Sequence, residues 1–103
     1  MSDKLQEEIE RGSRAQILLR NEVYQEAVGK VRQGIMDAWA ESPLRDTEGQ
    51  HELRLMLKLL TDIEKNIERV ATTGTLALRQ IEHERSLKER AAEAAKGLIS
   101  RFT

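Results

Sequence analysis

The sequence predicts an all-α protein, and three observations lead to that fold class. Alanine, leucine, glutamate, arginine, lysine and glutamine dominate the 103 residues, aromatic residues are only 3%, and there is a single proline. This composition is typical of long helices. Apolar residues also recur at alternating steps of three and four, the helical period. We therefore expect one domain over residues 1–103, an antiparallel helical hairpin or bundle of three long helices with a short N-terminal helix.

The first helical segment is short and is predicted over residues 3–12. Gly12 and Ser13 are expected to end it, because both residues are weak inside a helix. Ser13 with Gln16 has the spacing of a capping box, which would start the next helix immediately.

The second helix is predicted over residues 14–41, and Asn21 offers a further possible N-cap inside it. Gly29 and Gly34 lie within this helix, and either a close approach of another helix or a local bend would explain them. Its apolar stripe follows steps of four, three, four and three, with two residues widening it: Tyr24, Val28, Val31, Ile35 and Ala38, widened by Ala27 and Trp39.

A corner between helices is predicted after residue 41. Pro43 disfavours helical geometry at Ser42 and so ends the second helix. Thr47 with Gln50 repeats the capping-box spacing, which predicts that the third helix spans residues 47–73.

The third helix has the most regular pattern in the chain, a seam typical of coiled coils. Gly74 is expected to cap its C-terminal end, so a second corner follows. The last helix is predicted over residues 76–101, where Glu84 and Lys88 interrupt the apolar stripe and favour a helix that depends on a partner. The seam of the third helix consists of Leu53, Met56, Leu60, Ile63, Ile67 and Val70.

Two places are candidate partner-binding sites. Trp39 has two interpretations: it fills the end of the hairpin core, or it is an exposed anchor for a partner. Near the end of the sequence, Leu98, Ile99 and Phe102 are apolar anchors for a neighbouring copy or another protein, because exposed apolar ends of helices are natural docking elements.

Enzymatic chemistry is not expected. Glu48 and His51 have the Glu-x-x-His spacing of di-iron bundles, but His83 follows Gln80 rather than a glutamate, so the second motif is missing. Cysteine is absent, which excludes disulfides and thiolate metal sites. We therefore expect no catalytic residues, no metal and no cofactor.

The charge balance and the apolar runs limit the possible partners. The chain has 17 basic and 18 acidic residues, so no net field directs it to nucleic acid. DNA contact is possible but is not indicated. No apolar run approaches the roughly 20 residues of a membrane span, and a soluble, intracellular protein is expected.

One stretch, LLRNEVYQEAVGKVRQGIMDAWAESPLRDTEGQHELRLMLKLL, resembles a group of small helical proteins encoded by tailed bacteriophages. The resemblance covers about residues 18–74, and its most specific part is Ala-Trp followed by the Ser-Pro-x-Arg-Asp-Thr-Glu corner. It implies a phage protein in a structural or assembly setting and supplies no catalytic residues. Gly49 departs from the pattern, since a helix former is expected there, and could soften the corner.

The resemblance, taken with the helical pattern, implies a non-enzymatic virion or capsid-assembly protein that acts through helix-helix contacts. The expected partners are further copies in a homo-oligomer and other phage head or tail proteins, with no membrane. The expected location is the virion, and the host cytoplasm during assembly. Two alternatives stay open: a small-terminase-type DNA-packaging adaptor, and a soluble regulator that binds one host protein.

Overall fold

A computed structural model describes residues 2–102, and the described chain is almost entirely helical. Helix α1 spans Ser2–Arg20, α2 spans Glu22–Glu41 and α3 spans Thr47–Phe102. No strand occurs in this part of the chain. The all-α prediction is therefore confirmed.

The molecule is a rod rather than a compact bundle. Helix α3 has 56 residues, which corresponds to about 84 Å of helix, and the whole structure measures 87 × 25 × 20 Å. The radius of gyration is 24.1 Å, whereas a compact domain of this length has roughly 13 Å. A single helix thus sets the length of the molecule.

The predicted division into three long helices and a short N-terminal one is wrong. The segments predicted over 47–73 and 76–101 form one continuous helix, and Gly74 lies inside it. Gly12 and Ser13 likewise lie inside α1 instead of ending a helix. No described glycine has a positive φ, so neither glycine has the left-handed conformation of a C-terminal cap.

Gly12 and Gly74 are instead the point where α1 crosses α3. A Cβ atom on Gly12 would lie 2.6 Å from the Cα of Gly74, and one on Gly74 would lie 2.7 Å from the Cα of Gly12. Only glycine permits backbones to approach so closely. The buried apolar side chains of the described chain are small as well: Ala15, Ala71 and Ala77. The close crossing of α1 and α3 therefore explains both glycines.

Helix α1 runs antiparallel to the middle of α3. A Cβ built on Gly74 would lie 2.8 Å from the Glu8 carbonyl oxygen, and one built on Gly12 would lie 3.2 Å from the Val70 carbonyl oxygen, so later residues of α1 meet earlier residues of α3. Leu5, near the start of α1, shares a groove with Ile81. With Gly12 opposite Gly74, the antiparallel register places the two ends of α1 beside residues 84 and 66 of α3. The two ends of α3 therefore extend beyond α1.

Asn21 separates α1 from α2, so the helix predicted over 14–41 is broken there. Its backbone is extended, with φ −67° and ψ 125°, and its side chain accepts a hydrogen bond from Tyr24 N at 2.9 Å. The Gln25 side chain donates to the Leu19 carbonyl at 2.8 Å, which satisfies one of the last acceptors of α1. Asn21 is therefore the N-cap of α2, a position that asparagine favours.

The corner between α2 and α3 lies where the sequence predicts it. Ser42 is extended, with ψ 138°, as expected before Pro43. The N-cap of α3 is Asp46 rather than the predicted Thr47, because Asp46 Oδ1 accepts a hydrogen bond from Gly49 N at 3.0 Å. A Cβ on Gly49 would lie 2.7 Å from Asp46 Cγ. Gly49 thus leaves room for the capping carboxylate.

Candidate interaction surface

Helices α2 and α3 are joined on one side of the rod by apolar residues and one ion pair. Arg32 Nη2 and Glu64 Oε1 form a salt bridge between the two helices. The half-buried apolar residues around it are Tyr24, Val28 and Ile35 on α2 and Leu53, Leu57 and Leu60 on α3. These residues form a thin core that covers only one side of α3.

One buried polar atom in this core has no partner. The Tyr24 hydroxyl is inaccessible and makes no hydrogen bond in the described part of the chain. We expect Tyr24→Phe to raise the free energy of unfolding by about 1 kcal/mol, because an unpaired buried hydroxyl costs about that much or more. Urea unfolding monitored by circular dichroism would measure the change. A loss of stability on Tyr24→Phe would show that the hydroxyl is hydrogen-bonded.

A second apolar side of the α2/α3 pair is uncovered. Met56, Leu59 and Ile63 of α3 are between 51% and 63% exposed, and Val31 of α2 is also exposed. At 100° per residue, Met56 and Ile63 lie in line with Val70, which α1 covers further along α3. We call Val31, Met56, Leu59 and Ile63 the proximal face. The sequence places Met56 and Ile63 within the seam, but this part of the seam has no partner helix.

The glycines of α2 make no close contact in this chain. A Cβ at Gly29 or Gly34 would meet no atom within 4 Å. Close helix approach within the chain, one of the two explanations that the sequence allowed, is therefore excluded at both positions. The close approach occurs instead at the two glycines that the sequence pattern assigns to helix ends.

The distal end of α3 is the second uncovered region. Residues 87–102 are exposed throughout, beyond the start of α1. Leu98, Ile99 and Phe102 are among them, and Phe102 has 87% of its surface exposed. We call residues 85–102 the distal segment; at its start Ser86 is half-buried, and Arg85 and Lys88 share a groove with Leu5 of α1.

The predicted partner-binding residues do not form a single site. Trp39 is 45% exposed and lines a cleft with Ile35, Met36, Arg54 and Leu57, so neither full burial nor full exposure describes it. Leu98 lies 41 residues beyond Leu57 in the same helix, about 62 Å away. Trp39 and the distal anchors therefore belong to opposite ends of the rod.

The proximal face is the feature that the sequence pattern did not reveal. Met56 and Ile63 follow the same periodicity as the covered seam residues. Periodicity states which residues are apolar but not which side of the helix a partner covers. A usable signal was the breadth of the pattern, since Leu57 and Leu59 widen the seam beyond what one antiparallel partner covers.

Residues 2–102 contain neither a metal-binding cluster nor a membrane-spanning helix. No group of three His, Asp or Glu side chains there could hold a metal ion. None of its helices is long and apolar enough to span a bilayer. Glu48 and His51, the pair with the di-iron spacing, are both on the surface. The uncovered apolar regions are thus the main candidate for a functional surface.

Neither protein-family models, nor curated proteins, nor solved structures give a match to this chain.

Proposed function

We propose that this protein is a non-enzymatic assembly component that associates with further copies of itself through helix-helix contacts, as a structural or capsid-assembly protein of a tailed-phage virion. A helical bundle completed between copies would cover the apolar surface that one chain leaves open. Other head or tail proteins would join the same assembly.

The exposed area of the isolated chain carries this proposal. The accessible surface is 8847 Å², whereas a compact monomer of 11.8 kDa has about 5,900 Å². The excess of roughly 2,900 Å² is larger than the ~800 Å² that each partner buries in a standard interface. A chain with this surface has enough area for two such contacts.

The distribution of side-chain size supports the same proposal. Ala15, Ala71 and Ala77 are the buried apolar residues among those that the structure describes. Alanines bury little area, so the chain alone gains little hydrophobic stabilisation. The larger apolar side chains lie mostly half-buried or exposed. Covering them in an assembly would add the stabilisation that the single chain lacks. The phage setting rests on the resemblance of residues 18–74.

Mass measurement by light scattering tests the proposal directly. The purified protein is expected to form species heavier than the 11.8 kDa chain at micromolar concentration, with a mass that double-stranded DNA does not change. A monomer at all concentrations would overturn the proposed self-association. A discrete oligomer that binds DNA in a salt-sensitive way would instead identify a packaging adaptor.

A further inference from the structure

Helix α1 leaves two stretches of α3 uncovered, and they are nearly equal in length. In the register set by Gly12 and Gly74, α1 covers residues 66–84. The stretch before it, 47–65, is about 28 Å long, and the distal segment after it, 85–102, is about 27 Å long. A helix of the length of the distal segment would therefore fill the first stretch.

Both stretches have an apolar side. The first has the proximal face, and the exposed Glu52 continues its stripe four residues before Met56. In the distal segment, steps of four and three place apolar residues on one side of the helix, and all of them are exposed. These residues are Leu87, Ala91, Ala94, Leu98 and Phe102. The small alanines in the middle of this stripe allow close packing against a neighbouring helix.

The two ends of the rod carry opposite charge. The distal segment has five basic residues and two acidic ones, a net charge of +3; they are Arg85, Lys88, Arg90, Lys96 and Arg101 against Glu89 and Glu93. Residues 37–62, around the corner and the proximal face, have six acidic and three basic ones, a net charge of −3. They are Asp37, Glu41, Asp46, Glu48, Glu52 and Asp62 against Arg45, Arg54 and Lys58. Opposite charges favour contact between unlike ends and disfavour contact between like ends.

We propose that the distal segment of one copy docks on the proximal face of a second copy, so that copies join head to tail. The proposal rests on the self-association proposed above and specifies its interface. Docking within one chain is impossible, because Leu59 and Leu98 lie about 58 Å apart along one continuous helix. The matching length and the opposite charge of the distal segment make a second copy the occupant of the proximal face.

The position of α1 fixes the direction of the docked helix. If the docked distal segment ran antiparallel to α3, the residues that precede it in the second copy would continue along residues 66–84 of the first copy. That is the stretch that α1 covers. If the segment runs parallel to α3, the residues that precede it in the second copy lie beyond the corner between α2 and α3. They therefore do not meet α1. Successive copies are then displaced by 38 residues of helix, about 57 Å. Contacts between unlike surfaces of this kind produce filaments or rings rather than closed dimers.

Two complementary variants test the head-to-tail contact. In the first variant, Leu98→Asp with Phe102→Asp disables the distal segment. In the second, Leu59→Asp with Ile63→Asp disables the proximal face. Each variant alone is expected to have the monomer mass of 11.8 kDa. An equimolar mixture retains one intact distal segment and one intact proximal face, so it is expected to form a 1:1 complex of twice that mass.

The control is Leu76→Asp, which changes an exposed leucine of the same helix outside both surfaces. Leu76 is 57% exposed and Leu98 is 55% exposed, so the control places the same charge at a similarly exposed leucine. The control is expected to associate like the unchanged chain. Circular dichroism at 222 nm confirms that each variant is folded.

A pair of charge-reversal variants tests the same contact if one of the aspartate variants fails to fold. Lys88→Glu with Arg101→Glu in the distal segment is expected to prevent association. Mixing it with a chain that carries Glu52→Lys and Asp62→Lys is expected to restore the 1:1 complex.

The outcomes separate this inference from the proposed function. A monomeric unchanged chain would overturn both. Self-association of the unchanged chain, combined with a mixture of variants that stays monomeric, would overturn the head-to-tail contact alone. If either variant still associates by itself, the contact joins two like surfaces, and the proposal is wrong.

Discussion

Gly74→Leu is expected to lower the free energy of unfolding by about 3 kcal/mol or more and to release α1 from α3. A Cβ at this position would lie 2.7 Å from Gly12 Cα and 2.8 Å from the Glu8 carbonyl oxygen. These are backbone atoms, so relief requires the helices to separate. Overpacking costs typically 1–3 kcal/mol where side chains can adjust, and here the loss extends to the close contacts along α1. Thermal unfolding at fixed protein concentration, followed by circular dichroism, measures the effect.

Gly29→Leu is the matched control, because it is the same substitution inside a helix with no atom within 4 Å of the new Cβ. Helix propensity alone then acts, and stability is expected to rise by roughly 0.8 kcal/mol. Opposite signs for the two variants would separate the effect of the crossing from that of propensity. Equal stabilisation by both would show that α1 and α3 do not cross closely at Gly74.

Asn21→Ala is expected to destabilise the protein by about 1 kcal/mol, within the usual 0.5–2 kcal/mol for removing an N-cap. The variant loses the acceptor for Tyr24 N. Alanine also favours helix at the single residue that separates α1 from α2. A helix that continued through residue 21 would displace α2, which carries Val31 of the proximal face, so association is expected to weaken as well. Urea unfolding and light scattering measure the two effects.

Two further substitutions serve as controls for Asn21. Asn21→Ser keeps a capping oxygen and is expected to change stability by only a few tenths of a kcal/mol. Asn66→Ala makes the same asparagine-to-alanine substitution inside α3. There Asn66 is exposed and accepts a hydrogen bond from Arg69. Stability is expected to rise there by about 0.5 kcal/mol. Stabilisation by Asn21→Ala as well would mean that Asn21 is not a helix boundary.

The corner after α2 was predictable because its determinants are local. Pro43 restricts the residue before it, and α2 ends at Glu41 as expected. The beginning of α3 at Thr47 was also predicted, although Asp46 rather than Thr47 provides the cap. Caps and prolines act within one turn of the chain, and a short stretch of sequence contains all the atoms involved.

The candidate site was predictable only in part. Leu98 and Phe102 were assigned to an exposed apolar helix end, and they are exposed at the distal end of α3. Met56 and Ile63 were assigned to the hairpin seam and are instead uncovered. Whether an apolar residue is buried depends on which helix lies beside it, and helix periodicity contains no information on that partner.

The sequence by itself determined that the chain is helical, where α2 ends and that its surface is rich in charge, because composition, proline and the apolar period act locally. Only the tertiary structure decided the roles of Gly12 and Gly74. A glycine ends a helix when its φ becomes positive, and it permits a close crossing when its helix continues. The choice between the two depends on a second backbone 62 residues away in the chain. Here that backbone lies against Gly12, so both helices continue and α1 leaves the two ends of α3 uncovered.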